Sequence, residues 1–370
     1  MPRGSACLAW VMALVVVAGA EAGAGEGPSR KKLIEFGWDE PDTAFLRRHL
    51  GEMEASPFDG CVFHANVAGA DGKLANFAWL AWGRRTFTDA ELRPALDDLR
   101  ALPPSRFSHH FLRFNATPAD LDWFDDFGPI LANARLAARV AREGRCRGLL
   151  FDTEQYQGRL FEYRKQRDAA SKPWPEYAAQ ARRRGREVMG AIRRGFPDAT
   201  VLLTFGHSYP WKQSDRGKIP LADSEDGLLA PFLDGMAEAT EGGARLVDAH
   251  ELSYGYRDPE RFVEARRTIL EGVLPIVGAP EAYRRSVSAG FGLWMDYDWP
   301  KHGWDTADPS KNYFTPAAFE AAARQALESA DEFAWIYTEQ PRWWTDEGKT
   351  AKLPPAYAEA LRRAKGAGGD

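Results

Sequence analysis

Apolar and polar positions along this chain follow two rhythms that take turns. Short apolar runs, bounded by turn residues, predict strands over Leu33–Phe36, Gly60–His64, Ser108–Phe114, Leu149–Phe151, Thr200–Phe205, Leu246–Glu251, Gly290–Met295 and Phe333–Tyr337. Between them apolar residues recur at helical spacing, over Thr43–Met53, Asp89–Leu102, Pro129–Glu143, Tyr177–Gly195, Pro259–Leu270 and Pro316–Ser329. A last helix is predicted over Pro355–Lys365. This alternation predicts a parallel sheet covered by helices. About eight repeats fit a single-domain α/β fold, a (β/α)8 TIM barrel over residues 32–370, better than an open doubly wound sheet. After the first strand comes Gly37-Trp38-Asp39-Glu40-Pro41 rather than Gly-x-Gly-x-x-Gly, so a nucleotide has no cradle and no cofactor is expected.

One stretch ends abruptly in two acids, Gly148-Leu149-Leu150-Phe151-Asp152-Thr153-Glu154-Gln155-Tyr156. Strand alternation puts Leu150, Asp152 and Glu154 on one face and Phe151 and Thr153 on the other. Both carboxyls then project the same way from a strand end, which in a parallel barrel is the end that carries chemistry. Two acids in such a place can divide the work, one held protonated by crowding and burial and the other ionised, as hydrolysis of a glycosidic bond requires. An N-cap and a solvated loop residue is the plainer alternative for an Asp-x-Glu.

Composition narrows the partners. A formal net charge of −5 offers no basic face, so nucleic acid is not an expected partner. Thirteen Trp, eleven Tyr and twenty-one Phe are more than an ordinary core asks for, and flat rings suit the C–H face of a sugar. The N-terminus is laid out for export, with Arg3, an apolar run over Ala6–Ala18 and a small-x-small site at Ala20-Glu21-Ala22. A signal peptide over residues 1–22 and a linker over 23–31 are therefore expected, with a secreted or periplasmic product. No later run is long enough for stable membrane insertion. Cys61 and Cys146 read as buried thiols, with a single bridge as the alternative. Nothing indicates the oligomeric state.

The predicted strand ends share one chemical character. They carry Glu35, Asp39 and Glu40; His64 and Asn66; Arg113 and Asn115; Asp152, Glu154 and Tyr156 on the first four strands. The rest carry His207 and Tyr209; Asp248, His250, Glu251, Tyr254 and Tyr256; Trp294, Asp296, Asp298 and Trp299; and Tyr337, Glu339, Trp343 and Trp344. Acids, amides and rings converging on one face suit an oligo- or polysaccharide. Tyr156, His207, Glu251, Tyr254, Trp294, Glu339 and Trp343 are the expected substrate-binding residues.

The order from Gly148 to Glu154 resembles the end of the fourth-strand signature of the family 18 glycoside hydrolases, the chitinases and endo-N-acetylglucosaminidases. That resemblance implies Glu154 as general acid and Asp152 as the residue that steadies the substrate's own N-acetyl group. It implies a sugar-contacting role for Tyr254 or Tyr256, and for Trp343. Leu150 and Arg147 stand where the signature has further acids, so the match covers a short stretch, and barrel glycosidases in general are the broader resemblance.

A second catalytic acid is sought by geometry. Asp296 and Asp298 share one face of the seventh strand, where many retaining barrel glycosidases keep their nucleophile; a loop-capping pair is the alternative. Glu339 is another candidate. A carboxyl separation of about 5–5.5 Å goes with retention and one of roughly 6.5–9.5 Å with inversion. Rival chemistries find less support. The first strand has no His-x-His, and His64, His207 and His250 come from three different strand ends, so no metal site is expected. A Gly-x-Ser-x-Gly elbow is absent. The competing class is a secreted carbohydrate-binding barrel without turnover.

Overall fold

A computed structural model describes residues 31–38, 40–69, 71–347 and 349–366. The expected signal peptide and all but Lys31 of the linker lie outside the described residues, as does Asp39. The strands are β1 Lys32–Gly37, β2 Gly60–Phe63, β3 Phe111–Asn115, β4 Gly148–Asp152, β5 Thr200–Leu203, β6 Arg245–Asp248, β7 in two pieces, Val287–Ala289 and Phe291–Trp294, and β8 Phe333–Thr338. All pair in parallel with their sequence neighbours, and β8 pairs with β1, Leu33 lying opposite Ala334.

The seventh strand closes the ring by changing hands. Val287–Ala289 pairs with β6 and Phe291–Trp294 with β8. Gly290 sits at the change, donating its N–H to Asp248 O at 2.9 Å. A Cβ there would lie 2.9 Å from both Phe333 O and Val247 Cγ1, so only glycine lets the strands approach. The result is a (β/α)8 barrel.

Alternation sorts the core into two layers. Ile34, Val62, Phe111, Leu150, Leu202 and Trp335 point inward and fill the barrel. Leu33, Phe63, Leu112, Leu149, Phe151 and Val201 point outward against the helices. The outer helices are α1 Thr43–Glu54, α2 Asp89–Arg100, α3 Gly128–Glu143, α4 Trp174–Gly195, α5 Leu229–Glu238, α6 Pro259–Arg267, α7 Pro316–Ser329 and α8 Pro355–Ala364. Their starts are written locally. Asp42 accepts from Phe45 N at 2.7 Å ahead of α1, and Thr88 and Glu91 form a capping box on α2.

Three departures of the observed elements from the expected ones bear on the site and its surroundings. Helix α5 has no counterpart in the periodicity, because every residue from Leu229 to Ala237 is buried and no polar stripe marks a face. The third strand starts at Phe111 rather than Ser108. The sixth stops at Asp248, since His250 turns into the left-handed region at φ 41° and Glu251 opens a 3-10 turn over Glu251–Ser253. Cys61 and Cys146 are both free and buried.

Candidate active site

At the C-terminal mouth of the barrel the inward positions become charged. Arg113 follows Phe111 on the inner face of β3 and is buried. Its Nη1 donates to Glu40 at 3.0 Å, its Nη2 to Asp152 at 2.9 Å and its Nε to Asn115 at 3.0 Å. The rings of Phe36 and Trp79 lie 5.1 Å from its guanidinium carbon. A buried cation between two buried carboxylates is held firmly charged, because breaking such a cluster leaves an unpaired charge in low dielectric. Burial pushes the Glu40 carboxyl up, but the His64 hydrogen bond and the Arg113 charge outweigh it and hold Glu40 below its ordinary value.

Asp152 is filled on both oxygens. Oδ2 accepts from Arg113 and, at 3.1 Å, from the Tyr156 hydroxyl. Oδ1 accepts from Glu154 N at 3.1 Å and Thr204 Oγ1 at 3.4 Å. It is therefore a fixed negative charge at the base of the next carboxyl.

Glu154 continues the inward parity of β4 and meets Glu251, which the left-handed turn at His250 brings to the mouth after β6. The two side chains are hydrogen-bonded to each other, which requires a proton on one of them. Burial, then the Asp152 charge, pushes the Glu154 carboxyl up to about 7. Burial pushes Glu251 well above the ordinary carboxylate range, with Glu154 and Asp152 adding to it and the Tyr254 hydrogen bond opposing. The pair thus shares one proton, and its two titration steps belong to the pair rather than to either carboxyl.

Aromatic residues wall the pair into a cavity of about 240 Å³. Tyr254 and Tyr337 stack at 5.3 Å and 14°, and Trp294 packs edge-on to both. Trp38, 67% exposed, stands at the rim, its backbone N–H donating to Thr338 O at 2.8 Å. Tyr156 leans on Trp79 at 4.9 Å, and Glu339 lines the outer edge, accepting from the Tyr337 hydroxyl at 3.3 Å. The volume is below the roughly 300–1,000 Å³ of drug-sized sites and suits one sugar ring.

Of the expected residues, Asp152, Glu154, Tyr156, Glu251, Tyr254, Trp294 and Glu339 come together here. Four do not line the cavity. His207 is buried against Tyr283 with its Nε2 3.1 Å from Asp234 Oδ1. Asp296 accepts from Trp294 Nε1 at 3.1 Å, Glu339 N at 3.0 Å and Gln340 N at 2.8 Å, which makes it the anchor of the loop after β8. Asp298 accepts from Gly303 N at 2.6 Å within its own loop. Trp343 lies in the outer core, edge-on to Phe58 at 4.7 Å. Arg113, Trp38 and Tyr337 were not among the expected site residues. A charge inside the apolar Phe111–Phe114 run, on its inward parity, was the available sign of Arg113. Among the described residues no group of three or more His, Cys, Asp or Glu is arranged to hold a metal ion, and no helix is long and apolar enough to cross a membrane.

No protein-family model matches the chain, and neither does any curated protein. Solved structures resemble it at low identity. A β-mannanase from the blue mussel Mytilus edulis is 11% identical, with 87% of this chain and 84% of that one covered and a TM-score of 0.42. A Bacteroidetes-affiliated GH5 cellulase linked with a polysaccharide utilization locus is 10% identical, with 91% of each chain covered and a TM-score of 0.46. A glucosidase from Croceicoccus marinus is 12% identical, with 91% and 68% covered and a TM-score of 0.46. Likeness at this level says nothing about the reaction, which has to be read from the residues in the cavity.

Proposed function

We propose that the protein is a secreted glycoside hydrolase acting through Glu154 and Glu251. The observation that carries this is the pair itself: two carboxyls sharing one proton at the C-terminal mouth of a barrel, inside a ring-lined cavity of sugar size. A hydrogen-bonded pair is closer than the roughly 6.5–9.5 Å that leaves room for an attacking water, so it belongs with the retaining geometry. Glu154 is the less buried of the two, and we place the leaving sugar on its side. Glu251 lies deeper, against Tyr254. A substrate ring entering between them breaks their mutual hydrogen bond. Positive charge developing at the anomeric carbon then favours the ionised form of the deep carboxylate and moves the shared proton to Glu154.

The chemistry follows in two displacements. Glu154 gives its proton to the glycosidic oxygen as the C–O bond breaks, and a Glu251 oxygen bonds to the anomeric carbon. A water, deprotonated by Glu154, then attacks the same carbon and Glu251 leaves as carboxylate. Asp152 and Arg113 touch neither reacting atom; they set the field in which the proton is held. The family 18 resemblance gives Asp152 an N-acetyl group to steady, on an N-acetylated sugar. With both of its oxygens already accepting from the protein, we assign it the electrostatic role instead. Export rests on Arg3, the apolar Ala6–Ala18 run and Ala20-Glu21-Ala22.

Leaving-group dependence tests the assignment. Glu154→Gln should lose most turnover of an alkyl or sugar glycoside while keeping it for a dinitrophenyl glycoside, whose leaving group needs no proton. Glu251→Gln should lose both. The opposite pattern would exchange the two roles, and sugar binding without turnover by the wild-type protein would leave a binding barrel.

A further inference from the structure

A second and larger cavity, about 390 Å³, opens on the other side of the turn that carries Glu251. Its two walls are the short helix Ser208–Gln213 with the turn after it, and α6. Its floor is polar and buried. Ser208 Oγ lies 3.0 Å from His250 Nδ1, and His250 Nε2 faces the Tyr256 hydroxyl at 3.5 Å. Trp211 and Tyr256 supply flat sides.

The charges around this cavity do not cancel. Lys212, Arg216 and Arg261 line it, and so do Asp215 and Glu264. Both acids have other partners: Asp215 is 3.0 Å from Lys218, and Glu264 is 3.9 Å from Arg216. Of the three cations that line the cavity, Lys212 and Arg261 have no carboxylate within ion-pair distance among the described residues. Arg261 is held in place, its guanidinium carbon 3.9 Å over the Tyr256 ring. Lys212 and Arg261 come from opposite walls, yet both act on the same imidazole. Burial first, then these two charges, pushes His250 down to about 4, against the opposing pull of Asp248. Two cations without a protein anion therefore line one cavity whose floor holds a buried histidine. The acid-pair cavity is the reverse case, since its one cation, Arg113, is committed to Glu40 and Asp152.

We propose that this second cavity binds an anionic ligand of monosaccharide size, its carboxylate or phosphate held between Lys212 and Arg261 over His250 and its ring against Trp211. The proposal is independent of the hydrolytic reading. It stands on charge-assisted hydrogen bonds available from two side chains that have no protein anion to make them to.

Calorimetric titration of the full chain tests it with three probes: D-glucuronate, D-glucose 6-phosphate and D-glucose. One or both anions should bind, glucose should not compete for the site, and comparing the two anions tells carboxylate from phosphate. Lys212→Ala with Arg261→Ala, both exposed side chains, should weaken binding about a hundredfold, the loss of two charge-assisted hydrogen bonds. Glu154→Gln should leave the affinity unchanged. Equal binding of glucose and the anions, no binding of either anion, unchanged affinity in the double variant, or loss of binding in Glu154→Gln would each overturn the assignment.

Discussion

Replacing Asp152 with Asn removes the charge that sits under the acid pair and changes almost nothing in shape. Glu154 rises from 4.5 to about 7, with burial the larger cause and Asp152 the next. Asp152 is the second-largest cause of that rise, with a share on the order of one pH unit, ~1.4 kcal/mol. Arg113 works in the opposite direction on the same carboxyl, and that pull is already part of the value of about 7. Removing the Asp152 charge should therefore lower Glu154 by on the order of one unit. Asp152 also raises Glu251, so both titration steps of the pair move the same way whichever carboxyl holds the proton. The pH profile of kcat/KM, which reports the free enzyme, should keep its bell shape and shift bodily to lower pH. A carboxyl-carbon NMR titration of labelled protein reads the same shift without a substrate. The variant should fold, because Glu40 still neutralises Arg113 and the Asn amide oxygen still accepts from it. A profile that stays in place or moves up would refute the claim that Asp152 acts through its field.

Glu154 also weighs on stability. Its folded-state value lies above its unfolded one, so the folded protein loses stability as pH rises from about 4.5 to about 7, and the full penalty, ~3 kcal/mol, is present above that window. Glu154→Gln should therefore stabilise the fold by up to that amount near pH 8 and by almost nothing near pH 4, as read by urea unfolding; equal effects at both would exclude it. The two tryptophans should separate binding from packing. Trp38→Ala should raise KM about tenfold for a glycoside and leave the melting temperature alone, since the ring is mostly exposed. Trp343→Ala should destabilise by about 3–5 kcal/mol with KM unchanged.

The barrel is written in contrasts between neighbouring residues, and it was legible wherever contrast exists. Each barrel strand has an apolar run ending in polar residues, and most helices have a polar outer stripe. Helix α5 fails this condition. It is covered on all sides, with Phe232 packed among Trp82, Trp123, Phe151 and Phe161, so its sequence carries no period to read. The left-handed turn at His250 was equally silent. It is set by tertiary contacts: Asp248 accepts from Ser208 N at 3.1 Å and His250 N at 3.2 Å, and Gly206 leaves room for that carboxylate, which a Cβ would meet at 2.3 Å.

Parity explains both what the sequence shows of the site and where that view ends. Period-2 alternation carries Leu150, Asp152 and Glu154 inward on β4, Val247 and Ala249 on β6, and Trp335, Tyr337 and Glu339 on β8, while the left-handed turn at His250 brings Glu251 to the mouth. It says which side chains face the mouth. It does not say which of them meet, because that depends on how far each strand rises before it turns. On β7 the inner volume beside Gly292 is already taken by the Trp335 indole, which a Cβ would meet at 2.6 Å. The chain turns at once, and Asp296 is caught by the N–H groups of Glu339 and Gln340. Spacing alone ranks Asp296 with Glu251. Three protein donors on its oxygens set it apart, since an attacking carboxylate needs a lone pair turned toward the sugar, whereas among the described residues Glu251 meets Tyr254 and a partner carboxyl that a substrate can displace.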